Sequence, residues 1–330
     1  MKILLVGVQE PGSLIKSGVN TFNLCLARAL RELGHETWLG IPRQAFAAPN
    51  VLRQSSAKTG CRSMLLSGIF ERDMCGFETI VVSGAGFDYK EILQSARGRR
   101  VIIWTHGIHS TPFATWNIET LRQYRPKIAC CNEWHMEMAR RFGLEEQAVR
   151  IDFPVPFRQR ETLPAGEYCV AVGRLDPLKN YPRIGEIADA LGMKCKVYGP
   201  VIDKETMCFV SGHPWLEYCG SLQHDKLLDA VAGAAYLLHA ATVEGRPLAA
   251  LEAMGLGVPG IYPNTPLYKE FMDPVRNILL DPSGPVAGQL AGIDLEPYRK
   301  IANRQALAAE TQERFGLPKF RERLAEILGD

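Results

Sequence analysis

Apolar and polar positions alternate along the chain in a pattern that repeats once. Residues 2–8 (KILLVGV) form a short, almost wholly apolar run, as in a strand covered on both faces of a parallel sheet. A polar, glycine-containing loop follows over 9–17. Val19, Phe22, Leu26, Leu30 and Leu33 then recur at helical spacing, with Gly34 as a carboxyl-terminal stop. Residues 36–41 read as a second strand, ended by Pro42. The second half begins the same way: a buried strand at 168–172, a loop at 173–181, a helix at 182–191 and a strand at 194–198 before Gly199-Pro200. Further short apolar strands are predicted at 79–82, 101–104, 128–131, 235–239 and 260–262. Strand and helix alternating in this way predict an α/β fold of two doubly wound, Rossmann-like parallel sheets. The stretch 152–166, with Pro154, Pro156 and Pro164, reads as the linker. The resulting division is a domain over 1–155, a second over 166–300 and a charged helical segment over 301–330. That segment is broken near 316–318 and placed to pack back on the first domain.

Composition agrees with two domains. The chain has 330 residues, 46% hydrophobic and 22% charged, with a formal net charge of +2, an ordinary globular balance too long for one core. The apolar run at 3–8 is too short for a signal-peptide core, and no stretch reaches the roughly 18 apolar residues of a membrane span. Nine cysteines, without a CxxC pair and mostly inside apolar runs, read as reduced, buried thiols of a cytoplasmic protein rather than a zinc or disulfide framework. Charge is uneven. Residues 1–160 carry 21 Lys+Arg against 14 Asp+Glu, and the remainder carries 17 against 22. The basic clusters Arg97-Gly98-Arg99-Arg100, Arg122 to Lys127 and Arg140-Arg141 are either solvated surface or a face turned toward an anionic partner, such as lipid headgroups or nucleic acid.

Open α/β sheets bind ligands at the carboxyl ends of their strands. Two such crevices facing each other across a cleft, one for each substrate, suit a transferase and are equally compatible with a dehydrogenase. The stretch 242–259, TVEGRPLAALEAMGLGVP, carries the most chemistry. Pro247 stands where a helix begins, with Leu248, Leu251 and Met254 as its apolar face. Glu244 then lies in the preceding loop and Glu252 more than one turn inside the helix, roughly 10 Å further along its axis. Between them the N–H groups of Leu248, Ala249 and Ala250 are predicted to form an anion site at the positive end of the helix dipole. Two carboxylates flanking a phosphate cradle would serve a sugar nucleotide: hydroxyls at either end, diphosphate in the middle. The second stretch, VGRLDPLKN at 172–180, places Arg174 and Lys179 in a loop directly after a buried strand. Two fixed cations there can meet the charge that builds on a departing nucleoside diphosphate.

Gly173-Arg174-Leu175 with Lys179-Asn180, followed by Glu244-Gly245-Arg246-Pro247-Leu248 and Glu252-Ala253-Met254, resemble the signature of retaining GT-B glycosyltransferases of the large sucrose-synthase and mannosyltransferase-like family. The resemblance extends more weakly to Ser17-Gly18, to Leu33-Gly34-His35 and to Thr105-His106-Gly107. It implies that Arg174 and Lys179 grip the donor diphosphate, that Glu244 contacts the donor sugar and that Glu252 binds the ribose hydroxyls. It further implies that the backbone of Gly173 and of Gly245, Arg246, Pro247 and Leu248 holds phosphate and sugar. His106 would sit beside the donor sugar, and Gly18 would let the first loop approach the phosphates. The catalytic set so implied is His106, Glu244, Arg174 and Lys179, with a nucleoside-diphosphate sugar as co-substrate, no metal and no other cofactor. The acceptor would bind the first domain. Two departures stand out: Ser17-Gly18 replaces the usual pair of glycines, and Asp152-Phe153-Pro154-Val155-Pro156 replaces an asparagine-glycine turn.

No DxD motif is present, and His109, Trp134-His135 and His213 read as structural or surface groups without partners at metal spacing. Val82-Ser83-Gly84-Ala85-Gly86 superficially resembles a dinucleotide loop but lacks the third glycine. Three functions stay open on these residues: a glycosyltransferase, a two-domain oxidoreductase, and a non-transferring relative such as a sugar-nucleotide epimerase. For the first, the acceptor is a saccharide or glycolipid, with a modified base in DNA as the alternative. Peripheral contact with an anionic inner membrane face goes with the former.

Overall fold

The computed structural model describes residues 1–7, 18–41, 60–67, 70–83, 89–106, 111–157 and 160–329. Ser17, Gly84 to Gly86, Gly107 and His109, singled out above, lie outside them. The chain forms two compact units, Met1–Pro156 with Phe315–Asp330, and Phe157–Arg314.

In the first unit, β1 (Lys2–Val6), β2 (Glu36–Ile41), β3 (Arg62–Leu65), β4 (Thr79–Ser83), β5 (Arg100–Trp104), β6 (Lys127–Cys130) and β7 (Ala148–Arg150) form one parallel sheet. Its order is β3-β2-β1-β4-β5-β6-β7, so the winding reverses between β1 and β4. In the second unit, β8 (Cys169–Val172), β9 (Cys195–Tyr198), β10 (Leu216–Tyr218), β11 (Tyr236–Leu238), β12 (Gly260–Pro263) and β13 (Ile278–Leu280) run parallel in the order β10-β9-β8-β11-β12-β13. Here the reversal falls between β8 and β11. The helices used below are α1 (Gly18–Glu32), α2 (Glu133–Arg141), α3 (Tyr181–Leu191), α4 (His224–Ala232), α5 (Leu248–Gly255), α6 (Ile301–Phe315) and α7 (Leu317–Leu328).

The continuous apolar runs are central strands because both faces are covered. Ile3 and Leu5 pack with Phe22, Leu26, Trp104 and Leu324 on one side of the first sheet. Leu4 and Val6 pack with Ile80, Ile92 and Leu121 on the other, as the twofold alternation of a strand requires. Helix α7 closes the first of these layers: Phe320, Leu324, Ile327 and Leu328 are buried in it, and Arg321 pairs with Glu32 of α1 at 2.8 Å. Two members of the basic clusters serve this helix. Arg100 donates to the Leu328 carbonyl and Lys127 Nζ to that of Ile327 at 3.0 Å, so two cations stand at the negative end of α7. Others are paired on the surface: Arg140 with Glu133 and Glu137, and Arg125 with Glu146.

Several local expectations change. The first strand ends at Val6, and Gly7 adopts a φ of 116°. Residues 152–156 are not free linker: Phe153 stacks on Phe22 with ring centroids 4.2 Å apart, and Val155 N–H donates to the Phe315 carbonyl at 2.9 Å. The units part at Pro156, and α6 belongs to the second as far as Arg314. Six of the nine cysteines are buried, whereas Cys75 and Cys208 are exposed; all are free thiols.

Candidate functional site

Chemistry gathers at the carboxyl ends of the strands that flank each winding reversal, where an open α/β sheet leaves a crevice. In the second unit β8 runs directly into Gly173-Arg174-Leu175. This loop is fastened from several sides. Gly173 N–H donates to the Tyr198 carbonyl at 3.0 Å, Leu175 N–H to that of Pro200 at 2.9 Å, and the Tyr181 hydroxyl reaches the carbonyls of Gly173 and Arg174 at 3.3 and 3.4 Å. Gly199, at φ +151°, passes so near that a Cβ there would lie 1.8 Å from the Gly173 oxygen, so only glycine fits. A single 3-10 turn, Pro177–Lys179, follows and ends on Asn180 in the left-handed region at φ 53°, which asparagine tolerates better than most residues.

The loop after β11 is stitched to this turn, since the Thr242 N–H and hydroxyl both donate to the Leu178 carbonyl, at 3.0 and 3.3 Å. The stitch brings together two residues 65 apart in sequence. Lys179 Nζ lies 2.5 Å from Glu244 Oε2, both side chains 18% exposed. Glu244 Oε2 is also 3.9 Å from Nε2 of the buried His239, whose Nδ1 meets the Tyr268 hydroxyl at 2.8 Å. Burial, with Lys179 nearby, pushes the His239 pKa down to about 3, and burial pushes the Tyr268 phenol up, so both are neutral.

Arg174 stands at the rim of this loop, 54% exposed, with Asp176 Oδ2 3.1 Å away. Glu252, on α5, lies 2.8 Å from Nε2 of His224, the first residue of α4. Arg246 does not extend toward solvent: its guanidinium is buried over the Phe271 ring, 5.1 Å from the centroid.

The start of α5 corrects the predicted anion site. Pro247 is the N-cap rather than the first helical residue, and its φ of −81° and ψ of 71° make an inverse γ-turn. That turn uses the Leu248 N–H, which donates to the Arg246 carbonyl at 2.9 Å, while the Ala250 N–H donates to the Pro247 carbonyl at 3.0 Å. Two of the three expected N–H groups are therefore already engaged.

In the first unit, His106 follows β5, Ser83 ends β4, Gly7 follows β1 and Asn23 lies on α1. The Asn23 amide nitrogen reaches the carbonyls of Gly7 at 3.1 Å and Ser83 at 3.5 Å, the Ser83 hydroxyl meets Asn23 Oδ1, and the same hydroxyl lies 2.8 Å from His106 Nε2. The His106 ring packs on Phe22 and Phe153, with centroids 5.0 and 4.9 Å away. Desolvation, aided by His135, pushes its pKa down to about 3. Gly18 opens α1. His135 is wholly buried, its Nδ1 3.0 Å from the Thr105 hydroxyl and its backbone N–H capped by Asn132, a structural group at the start of α2. His213 lies against Gly185 of α3. Among the described residues no three His, Cys, Asp or Glu side chains converge as a metal ion would require.

The geometry thus unites Lys179 with Glu244, sets Arg174 on the same loop and gives Glu252 a partner. Sequence reasoning missed His239, His224, Asn23 and Ser83. Ser83 lay within the stretch set aside as a weak dinucleotide match. His239, beside a carboxylate and at the end of a strand, was visible only as a strand terminus.

No protein-family model matches the chain, and no curated protein matches it. Solved structures do. Anabaena Alr3699/HepE in complex with UDP is 14% identical over 100% of both chains, with a TM-score of 0.75. The pneumococcal O-GlcNAc transferase GtfA in complex with UDP and GlcNAc is 11% identical, over 100% of this chain and 98% of that one, with a TM-score of 0.80. Sucrose-phosphate synthase from Thermosynechococcus elongatus is 15% identical over 99% and 98%, with a TM-score of 0.73. At such identities the likeness establishes the fold: two parallel-sheet α/β domains of the GT-B type.

Proposed function

We propose that this chain is a glycosyltransferase that moves a sugar from a uridine diphosphate sugar to a hydroxyl of a saccharide or glycolipid acceptor, with retention at the anomeric carbon and without a metal ion. The observation that carries the reading is the assembly of Arg174, Lys179 and Glu244 at the winding reversal of the second sheet, with Lys179 Nζ 2.5 Å from Glu244 Oε2. HepE and GtfA, which share the fold, hold UDP in their crystal structures. In this reading the donor diphosphate draws the ammonium of Lys179 and the guanidinium of Arg174, which stabilise the charge that grows as the sugar–phosphate bond breaks. Glu244 meets hydroxyls of the transferred sugar and Glu252 those of the ribose, while the backbone of Gly173 and of Gly245 and Arg246 lines the diphosphate. The acceptor attacks from the face the diphosphate leaves, a dissociative route that needs no covalent intermediate. The protein acts in the cytoplasm, reaching a lipid-linked acceptor from the inner membrane face.

Thermal unfolding with UDP, GDP, ADP, CMP and NADH in turn tests the donor site. A nucleotide at 100 times its dissociation constant stabilises the native state by about 2.7 kcal/mol. UDP is expected to raise Tm in the parent protein and to lose that effect in Arg174→Ala. A response to NADH alone would replace the reading with an oxidoreductase, and hydrolysis or epimerisation of a bound UDP-sugar without transfer would replace it with the non-transferring relative.

A further inference from the structure

The second unit holds a carboxylate whose two oxygens are treated differently. Glu252 lies on α5 with its side chain 18% exposed, and its Oε1 accepts from His224 Nε2 at 2.8 Å. Among the described residues Oε2 receives no hydrogen bond. Each carboxylate oxygen carries two lone pairs, so after the bond from His224 both oxygens can still accept from a ligand. The donor is held as firmly as the acceptor. His224 opens α4, the helix that follows β10. Arg160 pins that end of α4, donating to the Asp225 carbonyl at 3.3 Å and pairing with Asp229, while Leu228 and Val231 are buried on the inner face. Helix α4 packs against α5, which is anchored in turn by its buried Leu251 and Met254. The hydrogen bond therefore joins two side chains whose backbones are fixed, and all of these residues belong to one unit.

We propose that His224 is a positioning residue that holds the Glu252 carboxylate in one orientation, and that this hold makes the site select a ribose diol over a deoxyribose. The proposal rests on the glycosyltransferase reading, in which Glu252 meets the ribose hydroxyls of the donor nucleotide. A glutamate side chain loses rotamer freedom when it is ordered, and that loss opposes binding if it falls at the moment of binding. The hydrogen bond from His224 orders Glu252 in the free protein, so the nucleotide meets a carboxylate already in place. A vicinal diol gains most from this, because both of its O–H groups must find lone pairs at once, whereas a single hydroxyl can follow a carboxylate that turns. A pair that merely tied α4 to α5 would act on every ligand alike. A pair that positions Glu252 acts unequally on ribose and deoxyribose nucleotides.

The test is titration calorimetry of the full-length protein with UDP, 2′-deoxy-UDP and 3′-deoxy-UDP, read as the ratio of each deoxy analogue's dissociation constant to that of UDP. In the parent at least one deoxy analogue should bind about 10- to 100-fold more weakly than UDP, as expected when a hydrogen bond to a charged group is lost. His224→Ala, confirmed as folded by its circular dichroism, should weaken UDP by about 3- to 10-fold, the cost of ordering one side chain on binding. It should weaken that deoxy analogue less, so the ratio narrows. His224→Gln, whose side-chain N–H reaches about as far as the imidazole Nε2–H, should restore the parent ratio, and the shorter His224→Asn should not. Equal weakening of all three nucleotides in His224→Ala would make the pair structural and overturn the proposal, as would a parent that binds UDP and both deoxy analogues equally. Binding of none of the three by the parent overturns the uridine diphosphate donor reading and this proposal with it. UDP binding with an unchanged ratio in His224→Ala overturns this proposal alone.

Discussion

At the scale of single residues, the Lys179–Glu244 pair separates binding from structure. The two side chains are mostly buried, so removing one leaves the other short of a partner. Lys179→Met and Glu244→Gln are each expected to cost about 1–2 kcal/mol of stability. The double variant should cost less than their sum, because the charge stranded in each single variant is gone. Turnover should behave otherwise. Glu244→Ala is expected to lower kcat severely with the true substrates, and full activity in that variant would remove Glu244 from the role given to it. His239 makes a prediction about pH. Its pKa is about 3 in the folded protein against an ordinary 6.5, so between these values the unfolded chain binds a proton that the folded one refuses. Stability is then complete above pH 6.5 and falls as the pH drops toward 3, by at most about 1.4 kcal/mol per pH unit for this group. Denaturant unfolding of His239→Gln between pH 4 and 7 should show a slope shallower by about one proton. A slope equal to that of the parent would mean that His239 is protonated when folded.

At the scale of elements, what was legible in the sequence follows from burial. Strands covered on both faces, such as 79–83 and 100–104, announce themselves as apolar runs, and the helix after β1 by its Phe22, Leu26 and Leu30 stripe. The edge strands Arg62–Leu65, Ala148–Arg150 and Leu216–Tyr218 did not, being short and only partly covered, so no run marks them. The loop-borne cations and carboxylates were readable because their types and spacing are unusual. Their pairing was not: Lys179 meets Glu244 only because Thr242 ties one loop to the carbonyl of Leu178 in the other. The same limit explains the corrected anion site. Proline fixes φ but leaves ψ free, and a ψ of 71° at Pro247 turns the Leu248 N–H back on Arg246 instead of toward a ligand. Asn23 and Ser83 carried no signal in one dimension, since 60 residues separate them and neither type is rare.

At the scale of the molecule, the chain completes its first unit last. It leaves that unit at Pro156, builds the second, and returns at Phe315 with a helix that the first sheet cannot do without. Phe320, Leu324, Ile327 and Leu328 of α7 are buried against Phe22, Leu26 and Trp104. At about 1.5–3 kcal/mol for each buried side chain, α7 contributes on the order of 6–12 kcal/mol, as much as the whole stability of a typical domain. Arg100 and Lys127 would lose the carbonyls of Leu328 and Ile327, and the Val155 N–H that of Phe315. A chain ending at Arg314 should therefore lose the first unit and keep the second, whose core draws on residues between Ala165 and Tyr298. Hydrogen exchange read by mass spectrometry would resolve the two. Amides of β1, β4 and β5 are expected to exchange at unfolded rates in the truncated chain, and those of β8, β9 and β11 to stay protected. Protection surviving in β1 and β4 would mean that the layer formed by α1 is sufficient and that α7 only covers it. If the first sheet does melt, the truncated chain should still show a Tm shift with UDP while losing transfer, because His106 with its supports belongs to the unit that melts and the Arg174, Lys179 and Glu244 group to the one that remains.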